Sequence, residues 1–347
     1  MNYFVSIGGN VKNTADVKAP ADMCAIMQKR GYTSITFNRP KRKGKLFGIL
    51  AHLKNWNKVK RTVKKGDILV YQYPLLLSHY CVKQIIKTNE KRQVNVVLLI
   101  HDIDSLRGFN EQTNAWKEEV FKHVSFIICH NDKMKQWLEG RGISEDKLVS
   151  MGIFDYMTNE QRKEGSDSKD SVIIAGNLSK KKSSYTDTLL KSERSYTLNM
   201  YGPNFEDSDE YKNYKYFGSF PSDQLISNLE GGYGLVWDGD SIDECSGMTG
   251  HYLQYNDPHK ASLYIASGVP VIIWKKAALS DYIESNKLGM TVNSLSEIES
   301  IMRSTTQQEY DAISKNVKEE SLKLRNGYYL NKSLDSIEAA VSKNEKV

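Results

Sequence analysis

Short, almost wholly apolar runs separated by longer amphipathic stretches constrain this chain more than any other feature. Val94 to Ile100 is the clearest run. A strand with no polar face must be covered on both sides, as in the middle of a parallel sheet. Asn2–Ile7, Thr33–Phe37, Asp67–Tyr73 and Ser125–Cys129 repeat the pattern, and helical spacing fills Ala19–Lys29, Phe47–Val63, Leu75–Lys87 and Asp132–Gly140. A polar stretch, Thr158 to Asp170, interrupts the series. The alternation restarts with Ser171–Ala175, Thr197–Tyr201, Tyr233–Trp237 and Val269–Trp274, with a helix over Pro258–Ala266, and from Ser294 only helices follow. Alternation of this kind gives an α/β fold with parallel sheets. Two series predict two doubly wound, Rossmann-like domains facing a cleft, with ligands beyond the carboxyl ends of the strands. The expected division is 1–155, 156–320 and a terminal helix, 321–347, packing back on the first domain.

Length and composition agree with this. A chain of 347 residues suits two domains, each with its own core. Hydrophobic residues at 39% and charged residues at 26% describe a globular protein, and no apolar run reaches the roughly 18 residues of a membrane span. MNYFVSIGG carries no basic leader, so a cytoplasmic location is expected, peripheral at the inner membrane face at most. Cys24, Cys81, Cys129 and Cys245 are far apart with no metal-type spacing, which favours reduced thiols and no metal site. Much of the net charge of +6 lies between Arg39 and Lys65. That segment is either a solvated helix face or a surface for anionic lipid or a lipid-pyrophosphate acceptor. No zinc-finger, helix-turn-helix or RNP pattern accompanies it, so nucleic acid is not an expected partner. A homo-oligomer is compatible with the composition.

Polar residues that follow strands are the candidates for chemistry. Gly8-Gly9 after the first strand, with Lys18 near the next helix start, could admit an anion or form a plain turn. His101, Asp102 and Asp104 follow the buried strand directly, offering bases, and Arg107 offers an anion partner. His130-Asn131-Asp132 reads mainly as a helix cap. Gly176, Asn177, Ser179 and Lys180 form a strand-to-helix junction suited to a diphosphate. Asp240 lies in WDGD, and NDPHKAS places Lys260 in a first helical turn two residues before Ser262. A cation there opposes the helix dipole unless the two share an anionic ligand. GxSxG is absent, and no cysteine has an evident base beside it.

These segments also carry a resemblance. IHDIDSLRG, IFDYM, AGNLSKKK, YFGSF, GLVWDGDS with CSG, and NDPHKASLYIASGVPVIIWKKAALSDYI resemble, in order and spacing, the bacterial galactofuranosyltransferases of O-antigen and capsule synthesis. A more distant resemblance is to the glucosyltransferases that extend glycans on streptococcal adhesins. The resemblance implies a GT-B fold that binds a UDP-sugar without a metal or other cofactor. Lys260 and Lys180 match the lysines expected at the donor diphosphate, Ser219 and Phe220 fall near the nucleotide, and Tyr201 borders the uracil by analogy. Lys18 matches a lysine of the N-terminal loop, in which Gly9 and Thr14 are further contacts. The E-x7-E pair of many retaining GT-B enzymes is missing, and Asp240 stands in its place. The implied activity is β-1,6 transfer of galactofuranose from UDP-galactofuranose to a glucose-containing glycan or lipid-linked glycan, with Asp102, Asp104 and His101 as candidate bases and Tyr73 and Trp237 shaping the furanose site. The alternatives are UDP-glucose-dependent glucosyl transfer to a glycoprotein glycan and a non-catalytic UDP-binding partner of a transferase. A nucleotide-sugar epimerase would use YYLNK at Tyr328–Lys332, but no glycine fingerprint accompanies it.

Overall fold

The computed structural model describes residues 1–8, 15–40, 44–108, 111–181 and 183–344. The expected contacts Gly9 and Thr14 lie outside the described residues. The chain forms two compact units, one of Gly152–Tyr328 and the other of Asp16–Met151 with the first strand and the segment from Tyr329 onward. The divisions fall at Met151/Gly152 and Tyr328/Tyr329, not at 155/156 and 320/321.

In the first unit the elements are β1 (Asn2–Gly8), α1 (Ala15–Lys29), β2 (Thr33–Asn38), α2 (Lys45–Thr62), β3 (Ile68–Tyr73), α3 (His79–Glu90), β4 (Asn95–Ile100), α4 (Glu111–Glu118), β5 (Phe126–Cys129), α5 (Asp132–Gly140) and β6 (Leu148–Ser150). All strands are parallel, in the order β2-β1-β3-β4-β5-β6. The chain runs outward from β1 to β2 and then returns to build the other side from β3, so the topological switch lies between β1 and β3. Every residue of β3 is buried, as are Val96 to Ile100 of β4, whereas edge strand β2 alternates exposed and buried residues near its end. Local signals set the helix starts. Ser78 Oγ accepts from the Cys81 N–H (3.3 Å) and Asn131 Oδ1 accepts from the Met134 N–H (3.0 Å).

The second unit runs β7 (Ser171–Ala175), α6 (Tyr185–Lys191), β8 (Thr197–Tyr201), β9 (Tyr214–Gly218), α7 (Leu225–Asn228), β10 (Tyr233–Val236), α8 (Gly247–Tyr252), α9 (His259–Ala266), β11 (Val271–Trp274), α10 (Ser280–Ser285), β12 (Gly289–Val292), α11 (Ile298–Ser304) and α12 (Gln307–Arg325). Its parallel sheet has the order β12-β11-β10-β7-β8-β9, which puts the switch between β7 and β10. A reciprocal cap starts α12: the Glu309 N–H donates to Thr306 Oγ1 and the Thr306 N–H donates to Glu309 Oε2. α12 packs on α9, which explains why the expected boundary at 320/321 falls inside a helix of this unit.

α13 (Tyr328–Asn344) brings Glu338 to the first unit. Arg30 Nη2 reaches Glu338 Oε2 (2.9 Å) and Asp335 Oδ1 (2.5 Å), and the Tyr32 hydroxyl donates to Glu338 (2.7 Å). Burial raises the Glu338 carboxyl, but these bonds outweigh it and hold the group below its ordinary range.

His130 belongs to the core. It is 1% exposed, and its Nε2–H donates to the Ile100 carbonyl at 3.2 Å. Burial lowers its imidazole from 6.5 to about 4, against the opposing effect of the Ile100 and His101 backbone. The unfolded chain therefore takes up this proton first. The contribution is complete above the unfolded value of 6.5 and is lost as pH falls toward 4. The expected cost at about pH 5 is about 2 kcal/mol. Urea unfolding at about pH 7 and about pH 5, in wild type and His130→Asn, checks this: the wild type should lose more stability on acidification, and equal losses would refute the assignment.

Candidate functional site

The switch point of the second sheet is where its ligand-competent groups converge. β10 pairs with β7 only through Tyr233–Val172 and Gly234–Ile173. Beyond that pair the ladder stops, and a tyrosine from α9 fills the gap. The Tyr264 hydroxyl accepts from the Ala175 N–H (2.9 Å) and donates to the Ile173 carbonyl (3.3 Å). Burial raises the phenol well above its usual range, so it stays protonated and can donate. Its ring lies flat on Gly234, where a Cβ would stand 2.2 Å from the ring.

Lys260 precedes Tyr264 by one helical turn and so shares its face. Its Nζ donates to Asp238 Oδ1 (2.8 Å) and Trp237 O (3.4 Å), both just past β10. On the other side is Gly176, directly after β7, with φ +149°, where a Cβ would meet Lys260 Cε at 3.3 Å. An ammonium, the first turn of a helix and a bare stretch of backbone therefore meet at one strand-end crevice. That combination suits an anion with several oxygens, such as a diphosphate. Lys260 and Asp238 are each about one-quarter exposed (27% and 25%), so solvent or a ligand can reach the pair.

Other predicted residues frame this point. Asn177 Oδ1 accepts from the Ser179 N–H (3.0 Å) and from Asn204 Nδ2 (3.0 Å), so Asn177 and Ser179 build the turn after β7. Asp240 accepts from the Ser246 hydroxyl, which ties WDGD to CSG. Ser219 is exposed after β9, and Phe220 leans on Tyr201 with centroids 6.3 Å apart. Tyr201 itself is buried, stacked on Phe217 (4.7 Å), with its oxygen accepting from the Glu230 N–H. It supports the Phe220 segment from beneath instead of presenting its own face.

Three further expectations change in this unit. Lys180 is turned to Asp187 (3.4 Å) and Glu206 (3.7 Å), with the Tyr211 ring beneath it, and is not part of the Lys260 cluster. Ser262 is 1% exposed, on the packed side of α9, and does not face a ligand. Trp237 is fully buried, its Nε1–H donating to Ser241 O, so it shapes the loop from inside. Sequence reasoning quoted Asp238 but passed it over for Asp240, and missed Tyr264. The signal for the tyrosine was its spacing of four from Lys260.

In the first unit the segment after β4 sits one strand from the switch. The His101 ring Nε2 is 2.7 Å from Gln72 Oε1, whose amide in turn donates to Cys24 Sγ. Asp102 pairs with Arg107 at 3.4 Å and is 40% exposed. Asp104 pairs closely with Lys117, and both are under one-quarter exposed. Asp102 is thus more accessible than Asp104. Tyr73 is buried against Phe121 and is core, not a wall of a sugar site. Lys18 lies within α1 and pairs with Asp22 at 2.5 Å. All four cysteines are free; burial raises the Cys24 thiol to about 11 and the Cys245 thiol higher still, so neither is a thiolate nucleophile. Among the described residues no three His, Cys, Asp or Glu side chains converge as a metal site requires.

A glucosyltransferase 3-like N-terminal domain model matches residues 1–153, and a glucosyltransferase 3-like C-terminal domain model matches residues 172–337. The β-1,6-galactofuranosyltransferase WbbI of Escherichia coli (strain K12) is 36% identical over 279 residues, 79% of this chain and 80% of that protein. Glucosyltransferase 3 of Streptococcus gordonii is 24% identical over 276 residues, 79% of each chain. Among solved structures, Anabaena HepE in complex with UDP and glucose superposes with a TM-score of 0.61 at 12% identity, covering 97% of this chain and 99% of that one. Sucrose-phosphate synthase from Thermosynechococcus elongatus gives 0.63 at 12% identity, covering 98% and 99%. At such identities the structural likeness establishes the fold, which is GT-B. With the two domain models matched in order and a relative 36% identical over most of both lengths, the chain belongs to the glucosyltransferase 3-like family of glycosyltransferases.

Proposed function

We propose that this glycosyltransferase moves galactofuranose from UDP-galactofuranose, in β-1,6 linkage, onto a glucose-containing acceptor during synthesis of a bacterial surface polysaccharide. The observation that carries the donor half is Lys260 standing over Gly176 at the β7–β10 switch, beside Asp238. The choice of sugar rests on the 36% identity to the E. coli galactofuranosyltransferase. The family's glucosyltransferase members favour UDP-glucose as the second reading.

The chemistry follows from charge. As the anomeric carbon–oxygen bond breaks, negative charge grows on the departing diphosphate. Lys260 and the first-turn N–H groups of α9 are positioned to stabilise it, the role a metal ion plays in other transferases. The lysine in the first turn then makes sense: it is unfavourable toward the helix alone and favourable once both face one anion. Formation of a β-galactofuranoside from an α-linked donor inverts the centre, and direct displacement requires a base for the acceptor hydroxyl. Asp102 is the preferred base. Asp104 has its charge compensated by Lys117, and His101 is oriented by Gln72.

Three outcomes are expected. In a UDP-release assay comparing UDP-galactofuranose, UDP-galactopyranose and UDP-glucose, with and without EDTA, UDP-galactofuranose should turn over fastest and EDTA should have no effect. Turnover of UDP-glucose alone would replace the first reading with the second. Lys260→Ala should weaken UDP binding roughly ten- to hundred-fold, the loss of a charged hydrogen bond worth about 1.5–3 kcal/mol, with an unchanged circular dichroism spectrum. An unchanged UDP dissociation constant would remove Lys260 from the site. Asp102→Asn should lower kcat by about 100- to 10,000-fold at unchanged UDP affinity, and Asp104→Asn by much less. The reverse order would reassign the base.

A further inference from the structure

α2 presents two different sides. Its inner side is fixed by Asn55, Trp56, Val59 and the following Val63, all buried, with Asn55 exchanging two hydrogen bonds with the Asn38 backbone (3.0 Å each). Its outer side opens with Leu46, Ile49, Leu50 and Leu53, which are 66%, 48%, 45% and 39% exposed. The spacing i, i+3, i+4, i+7 places these four side chains in one stripe. The same outer side ends in cations: Lys54 and Arg61 are exposed, and Lys64 and Lys65 follow. From Met23 to Gly66 the sequence contains no Asp or Glu.

We propose that this stripe docks on an anionic lipid bilayer, with the four aliphatic side chains entering the acyl boundary and the cations at the headgroups. A water-facing helix has no use for four large aliphatic residues in a row, so the stripe is a surface that is covered when the protein works. The flanking charge selects the cover. A second copy pairing through this face by two-fold symmetry would set one uniformly basic segment against another. An anionic membrane complements it, and an apolar face flanked by basic residues is the pattern of helices that lie in the interface plane. No helix among the described residues is long and apolar enough to cross a membrane, so the contact is peripheral. The proposal does not depend on which sugar is transferred.

Co-sedimentation of the full chain with phosphatidylglycerol-containing vesicles and with pure phosphatidylcholine vesicles tests it. The protein should pellet with the former, not with the latter, and should be released by salt. Combined Leu46→Ser, Leu50→Ser and Leu53→Ser should weaken pelleting at least about ten-fold while UDP affinity, read on the other unit, stays unchanged. Lys54→Glu with Arg61→Glu should also weaken it and flatten the salt dependence. Leu50→Trp should show a blue-shifted emission on adding anionic vesicles, a readout that survives even if the serine variant fails to fold. The proposal fails if wild type stays in the supernatant, if the serine variant pellets equally, or if the Leu50→Trp emission does not move. It also fails if light scattering finds a dimer that the serine substitutions dissociate and that has no affinity for vesicles.

Discussion

The switch point of the second sheet, where we propose the donor binds, depends on one side chain, Tyr264. A doubly wound sheet must open where its strand order reverses, and the opening leaves backbone groups of the central strand without a ladder partner. Here the affected strand is β7, and the Tyr264 hydroxyl bonds both the Ala175 N–H and the Ile173 carbonyl. The ring can come that close because position 234 has no side chain. The tyrosine thereby fixes the height and rotation of α9 over the opening, and the residue one turn earlier, Lys260, is delivered to the crevice between Gly176 and Asp238. Packing, backbone satisfaction and the placement of a cation are one structural decision.

The two units handle charge differently. Lys260 and Asp238 form a partly open pair at a helix start, a geometry that tolerates exchange of the carboxylate for a phosphate oxygen because neither group is sealed from solvent. In the first unit the acids after β4 are graded. Asp104 is locked to a neighbouring lysine under substantial burial, whereas Asp102 has a looser arginine partner and more solvent. A base must be both oriented and reachable, which is why Asp102 is the one we propose.

How much of this was legible in the sequence follows from burial. Central strands covered on both faces leave apolar runs, so β4, β7, β8, β10 and β11 could be read almost to the residue. Three of the four edge strands leave no such run; the fourth, β2, keeps a readable alternation in Ile35 and Phe37. β6, β9 and β12 are short, half exposed and polar in part, and no periodicity marks them. Among candidate residues, the setting of Lys260 at a helix start was legible because NDPHKAS places a lysine in a first helical turn, where it is locally unfavourable. The setting of Lys180 was not, because its partners Asp187, Glu206 and Tyr211 converge only through the tertiary fold. Tyr73 and Trp237 looked like cleft residues because they end or follow strands, but a strand end that is still covered by helices is core. Distance along the chain does not reveal where that cover stops.

The exposed stripe on α2 is likewise a consequence of what the inner side must do. Trp56 lies in a ring cluster with Phe37 and Tyr71, at centroid distances of 5.5 and 6.2 Å, and Asn55 is bonded to the Asn38 backbone. Those contacts set the rotation of the helix. Turning it far enough to bury Leu50 and Leu53 would carry Trp56 and Val59 out of the core and bring charged neighbours toward it, losing about 1.5–3 kcal/mol for each large apolar side chain exposed. The aliphatic residues therefore cannot be hidden by a small adjustment of the helix within this unit. Any cover for them has to come from beyond this helix, and the positive charge along the segment restricts what that cover can be.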